Sequence, residues 1–192
     1  MRRLNEIRRR LREALPRRVQ TLFYRHALAD LSVLPAGAGV SIGELTSADV
    51  DRLASVGFIE RGDALGRLAR GDRCFGGFLD GKLAHYSWVQ RSGPHRVNSS
   101  GEVYDVEAGE FWVYHCVTAP WGRGRHIYPC VLNHLLIAHR DQAYKLAWIY
   151  TTSDNDSSQR GIVRAGFKPD RTLDRLMLGK YPLSRGSLRV QR

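Results

Sequence analysis

Val117-Thr118-Ala119-Pro120-Trp121-Gly122-Arg123-Gly124-Arg125-His126 is the stretch on which the reading of this chain turns. Before it, Glu110 to Val117 is rich in aromatic and β-branched residues and reads as a strand. After it, Ile127, Val131, Leu132, Leu135, Leu136 and Ala138 recur at helical spacing. A strand that turns through two glycines into a helix points the N–H groups of the first helical turn at one place. Those groups lack intrahelical acceptors and the helix dipole favours negative charge, so the turn suits a pyrophosphate. Glycine lets the backbone approach such a ligand closely. Arg123 and Arg125 add charge-assisted contacts. A Gly-x-Gly turn can also be no more than a tight turn, so its neighbours matter.

Working outward, Val40 to Leu45 alternates as a strand does. Thr46 and Asp49 have the spacing of a capping box, which opens a helix through Val50, Leu53, Ala54 and Phe58. A second helix is predicted from Glu60 to Ala69. Arg73–Leu79 and Leu83–Val89 are strands joined by the hairpin signal Asp80-Gly81. Arg91 to Ser100 reads as a loop, and Val103 to Val106 as a short strand. Beyond the long helix come a strand, Leu146–Thr152, and a helix, Asp154–Ala165, stopped by Gly166. Phe167 to Leu183 suits two more short strands. Antiparallel hairpins followed by a strand–helix–strand–helix unit predict an α/β (α+β) fold, a mixed sheet with helices on its faces.

At this point the chain resembles the GNAT acetyltransferase superfamily. That family has a strand whose end carries Val shortly before (Arg/Gln)-x-x-Gly-x-(Gly/Ala), then a helix, a strand, and Asn-x-x-(Ser/Ala) followed by Gly-Phe. Val117 and Gly124 match the first element, and Asn155, Ser158, Gly166 and Phe167 the second. The resemblance covers Val40 to Leu183 in the order of elements, and Val117 to Phe167 in motifs. It implies a mostly antiparallel central sheet and an acyl-CoA cofactor, acetyl-CoA or another. By it, Gly122, Arg123, Gly124, Arg125 and His126 cradle the CoA pyrophosphate, and Cys116 and Val117 pair with the pantetheine arm. Asn155 would bond the same arm, with Ser158 facing it; Asn155 is also a natural helix N-cap. The chain departs from the family pattern in three places. Trp121 replaces Arg or Gln, and His126 replaces Gly or Ala, crowding the pyrophosphate. Ile162 replaces a frequent general-acid Tyr, so protonation of the leaving thiolate falls to water or another group.

The implied reaction is attack of an amine on a thioester, which needs orientation, a base and an oxyanion site. The backbone N–H at Cys116 or Val117 is the expected oxyanion donor. His115 and Glu110 are the candidate catalytic bases. By alternation only one of them faces the cleft unless a bulge intervenes. His115 has a suitable pKa range for a base, but also reads as a hydrogen-bonded core His. His85 and Tyr86 are second-rank candidates for substrate contact, and Cys116 lacks the partner a covalent nucleophile needs. Gly124-Arg125-His126-Ile127-Tyr128-Pro129 is also similar to the helix start of GNAT-like proteins from bacterial surface-glycan gene clusters. That narrower similarity implies an amino sugar as the acceptor. The alternative function is a catalytically weak or inactive acyl-CoA-binding module acting as sensor or scaffold.

Composition bounds the rest. The chain has 192 residues, 43% hydrophobic and 26% charged, as expected of a soluble globular protein and not of a disordered or membrane-spanning one. Cys74, Cys116 and Cys130 lack C-x-x-C spacing, so neither a metal site nor a redox pair is expected, and a reducing, cytoplasmic setting is. Lys and Arg number 30 against 19 acids, a formal charge of +11, which attracts anions. Much of the excess lies at the start, where nine Arg stand against Glu6 and Glu13 up to Arg25. Leu4, Ile7, Leu11, Leu15, Val19, Leu22 and Phe23 recur there at helical spacing, and Pro16 is placed to split the segment in two. The sequence therefore predicts a basic amphipathic helical arm with its linker over residues 1–39 and a catalytic domain over 40–192. Such an arm packs on the body or in a homodimer, or lies on an anionic membrane surface through residues 1–34 at the inner face of the membrane. Nucleic acid ranks last, because no aromatic stacking pattern interleaves the Arg residues.

Overall fold

Val19, Thr21 and Phe23 bury one side of an extended chain, and Tyr24 and His26 bury the other. They belong to β1 (Pro16–Ala27), in a region that the sequence reading assigned to a helical arm. The computed structural model describes residues 15–35, 37, 39–179, 181–183 and 186–190. The part of the predicted arm before Leu15 lies outside the described residues. For residues 16–27 the helical expectation is corrected. The i, i+4 spacing of Val19 and Phe23 coexists with a period of two, and β-branched and aromatic residues suit the pleat better. Arg18 and Arg25, both largely exposed, form ion pairs with Asp174 and Asp170 on the neighbouring strand, at 3.6 and 3.2 Å.

The strands that follow are β2 (Val40–Leu45), β3 (Arg73–Leu79), β4 (Lys82–Gln90), β5 (Pro94–Arg96), β6 (Val103–Asp105) and β7 (Glu110–Thr118). After them come β8 (Leu146–Thr152), β9 (Lys168–Leu178), β10 (Tyr181–Pro182) and β11 (Ser187–Val190). The main sheet has the order β10-β9-β1-β8-β7-β4-β3-β2, with β11 also on β9. β7 and β8 run parallel, and the other paired strands are antiparallel. The predicted loop Arg91–Ser100 contains β5, which pairs with β6 as a separate ribbon. The end of the chain carries one long strand and two short ones where two short strands were expected.

The helices are α1 (Val50–Val56), α2 (Arg61–Ala69), α3 (Ile127–Arg140) and α4 (Asp156–Arg164). The expected capping box of Thr46 and Asp49 is present, opening a 3-10 turn that runs into α1. α3 buries Ile127, Val131, Leu132, Leu135 and Leu136, a stripe at i, i+4, i+5, i+8 and i+9. It packs with α4 on one face of the sheet, against Tyr24, Phe75, Phe111 and Ile149. α1 and α2 cover Tyr86 and Trp88 on the other face. Beside them Phe23, Trp112 and Leu173 lie under the β5–β6 region, with Val97 and Tyr104.

The expected boundary at residue 39 is corrected as well. β1 lies between β8 and β9, inside the sheet. Asn133 of α3, itself buried, accepts from the Leu34 N–H at 2.9 Å and donates to the Ser32 carbonyl at 2.7 Å. Those bonds satisfy a buried amide and clamp the segment after β1 to the body. Among the described residues no helix is long and apolar enough to cross a membrane.

Candidate active site

β7 and β8 pair only from Glu110 to Val113 and from Leu146 to Ile149. Both strands continue, β7 held by β4 and β8 held by β1. A wedge therefore opens between them past Val113, and one edge of β7 is left without a strand partner. The wedge widens into a cleft of about 890 Å³, large enough for a cofactor-sized ligand. Its walls include Cys116, Val117 and Thr118 of β7, the turn from Gly122 to His126, and Asn155, Ser158 and Gly161 at α4.

Of the turn residues singled out in the sequence, Gly122, Arg123, Gly124 and His126 line the cleft, and Arg125 is exposed outside it. The donors are fewer than expected. The N–H groups of Gly122 and Arg123 close a 3-10 turn on Ala119 and Pro120. Those of Gly124, Arg125 and His126 take no partner among the described residues. Gly124 has φ +76, a conformation that favours glycine. His126 also lies in the left-handed region, and its Nδ1 accepts from Arg164 at 3.2 Å. Its ring is thus held toward α4. Arg123, Arg160 and Arg164 line the same mouth and make it basic. Sequence reading missed Arg160 and Arg164; their i, i+4 spacing on α4 was the available signal.

Asn155 both lines the cleft and caps α4, its Oδ1 accepting from the Ser158 N–H at 3.1 Å. At the inner end, β7 carries a bulge. Two residues, His115 and Cys116, stand opposite Ser87 between the pairs Tyr86–Val117 and Trp88–Tyr114. His115 has φ +47. Arg67 Nη1 lies 2.6 Å from its Nδ1, and a guanidinium can only donate, so that nitrogen accepts. The other nitrogen donates to the Phe58 carbonyl. Burial first, and the Arg67 charge second, push the imidazole pKa down to about 4. Arg67 and Phe58 thus stand at the two ring nitrogens, and His115 can take a proton from an amine only where one of them gives way. The ring is a strut between Arg67, which lies over the Trp88 and Tyr114 rings, and the Gly57–Phe58 loop.

Glu110 is no better placed. It accepts from Trp148 Nε1 at 2.7 Å and lies five residues before His115, outside the cleft lining. At roughly 3.3 Å per residue that is about 16 Å along the strand. Side chains that the sequence did not rank as cofactor or catalytic groups take the inner end instead: His85, Tyr128 and Phe58. Phe58 is 77% exposed with φ +67, in a loop pinned by the Tyr86 hydroxyl on the Gly57 carbonyl at 2.8 Å. His85 bonds Thr118 and Ser87 through its two nitrogens at 2.7 and 2.8 Å, and burial lowers its pKa to about 3.

These histidines set an acid limit on stability. His85, His95, His115 and His139 are all shifted below 6.5, to about 3 or 4, with burial the largest cause. The unfolded chain then takes up protons more readily than the folded one. Their contribution is complete above the unfolded value and is lost as pH falls from about 6.5 toward 4. The melting temperature is expected to fall steadily between about pH 6.5 and 5, where most carboxylates remain ionised. A flat profile over that interval would contradict it.

The sequence matches no family model, and no curated protein matches it. The fold is shared with solved structures. A chain described as a GNAT-family acetyltransferase from Novosphingobium aromaticivorans is similar at 18% identity and TM-score 0.57, over 82% of this chain and 63% of that one. A GCN5-related N-acetyltransferase from Sphaerobacter thermophilus gives 13% and 0.61, over 90% and 55%. A GNAT-family acetyltransferase from Colwellia psychrerythraea gives 21% and 0.54, over 85% and 56%. This chain thus spans between 55% and 63% of the length of these neighbours. It has the GNAT fold, a mixed and mostly antiparallel sheet flanked by helices, as the sequence led one to expect.

Proposed function

We propose that this chain, built on the GNAT fold, is an acyl-CoA-dependent N-acyltransferase that moves an acyl group, acetyl in the simplest case, from CoA to an amine. The observation that carries the reading is the wedge between β7 and β8, which opens onto unpartnered N–H groups at the start of α3. The donors of Gly124, Arg125 and His126, with Arg123, Arg160 and Arg164, suit a pyrophosphate. The unpaired edge of β7 at Cys116 and Val117 suits the amides of a pantetheine arm, which would add to it as a strand does. The thioester would then lie at the bulge, with a backbone N–H of Cys116 or Val117 as the proposed donor to the developing oxyanion. With His115 and Glu110 both engaged, the amine passes its proton to water. An amino sugar of a surface glycan is the acceptor we favour, on the similarity of Gly124 to Pro129 alone.

Acetyl-CoA is expected to bind and to raise the melting temperature. At a hundredfold excess over Kd the stabilisation is about 2.7 kcal/mol. Absence of both a calorimetric heat and a melting shift at millimolar acetyl-CoA would remove the reading. The commitment of both candidate bases favours a second reading, a module that holds acyl-CoA without turnover. Binding with no thiol release across a panel of amines, amino sugars included, would select it.

A further inference from the structure

We propose that Tyr128 is the proton donor of the transfer: its phenol protonates the sulfur as the carbon–sulfur bond of the thioester breaks. The proposal rests on the acyl-transfer reading above and supplies the group that reading lacks.

Tyr128 stands in the first turn of α3 and lines the cleft. Its ring crosses the wedge toward α4, lying on the His85 ring at 5.0 Å. On the α4 side the ring meets Gly161, where any Cβ would collide with its Cδ1. A glycine in a helix interior costs about 1 kcal/mol relative to alanine, and here it is what admits the ring. The next residue is Ile162, fully buried in the core and without a proton to give. The phenol therefore reaches α4 from the opposite helix, one residue away from that isoleucine.

Its hydroxyl has two side chains within hydrogen-bonding reach, Cys116 and Ser158. Cys116 is the bulge residue at the closed end of the wedge. An arm that follows the free edge of β7 inward from the basic mouth brings its thioester to that residue, and so to the phenol. The histidines and arginines of the lining are worse placed. His85 has both nitrogens bonded to hydroxyls, His126 is held at the mouth by Arg164, and a guanidinium does not give up its proton.

The hydroxyl also belongs to a line of exchangeable protons. It runs from Thr118 to His85, at 2.7 Å, to Ser87, at 2.8 Å, and on through Cys116 to Tyr128 and Ser158. Such a line orients the phenol. The step balances. The amine nitrogen bonds to the carbonyl carbon, the carbon–sulfur bond breaks with its electron pair on sulfur, and the proton passes from Tyr128 Oη to sulfur. The amine loses one proton to water, and the phenolate regains one from water. Burial holds the phenol protonated well above its ordinary range. The same surroundings raise the Cys116 thiol to about 11, so a thiolate formed there is also a stronger base than in water.

The test is Tyr128→Phe, which keeps the ring against His85 and Gly161. Thiol release from acetyl-CoA is measured with the amine panel and with water alone as nucleophile, beside calorimetric binding of acetyl-CoA. The expected result is a kcat about a hundredfold lower, with acetyl-CoA affinity and melting temperature nearly unchanged. Release at the unaltered rate overturns the proposal and leaves the acyl-transfer reading standing. Loss of acetyl-CoA binding in the variant overturns it too, since the ring would then be structural. An unaltered protein that fails to bind acetyl-CoA removes the acyl-transfer reading, and one that binds without releasing thiol to any nucleophile overturns both.

Discussion

A chain truncated to begin at Val40 is expected to fail to fold. β1 pairs with β8 from Thr21 to Ala27 and with β9 from Pro16 to Arg25, so its removal strips the inner edge of both strands. It also takes Val19, Phe23, Tyr24 and Leu28, none more than 8% exposed, out of the core. At about 1.5–3 kcal/mol for each buried side chain, the loss approaches the whole net stability of a domain, about 5–15 kcal/mol. Exposed strand edges then favour aggregation. A chain beginning at Leu15 retains every strand described and is the control. The check is solubility on expression, with far-ultraviolet circular dichroism and a melting curve. A cooperative melt from the Val40 chain would show that the sheet closes without β1.

Gly124→Val is expected to remove acetyl-CoA binding and leave the fold intact. A Cβ at Gly124 meets nothing within 4 Å, so the core is untouched. The backbone, however, has φ +76, which a β-branched residue adopts only under strain of about 1–3 kcal/mol. The turn would relax and move the N–H groups of Gly124 to His126 away from their common target. Each charge-assisted bond lost is worth about 1.5–3 kcal/mol, so two of them weaken binding at least a hundredfold. Gly122→Val is the contrast. Its Cβ would lie 3.0 Å from the Ala84 Cβ and 3.4 Å from the Ala84 carbonyl, so that variant should lose stability first. Calorimetry and melting curves on the two variants separate the effects. Normal acetyl-CoA affinity in Gly124→Val would mean that the turn only joins β7 to α3.

Much of this protein was legible residue by residue. Asp80-Gly81 marks the β3–β4 hairpin, the stripe from Ile127 to Leu136 marks α3, and Asn155 marks the start of α4. Each is a local device, in which turn chemistry, helical period or a cap acts within a few residues of itself. The ten residues from Val117 to His126 likewise placed a strand, a glycine turn and a helix N-terminus in order. β1 was misread because an inner strand buries both of its faces, so its alternation fades. Its Arg residues also resemble a helical arm until β9 brings Asp170 and Asp174 beside them. The surroundings of His115 were set by Arg67 and Phe58, far away in sequence, which stand at its two nitrogens. Tyr128 became a candidate only because Gly161, on another helix, leaves room for its ring. Sequence by itself therefore determined the elements marked by local signals, from the β3–β4 hairpin to the start of α4, because local interactions write those. Tertiary structure alone decided which side chains are free to do chemistry, because freedom depends on partners that only folding brings within hydrogen-bonding distance.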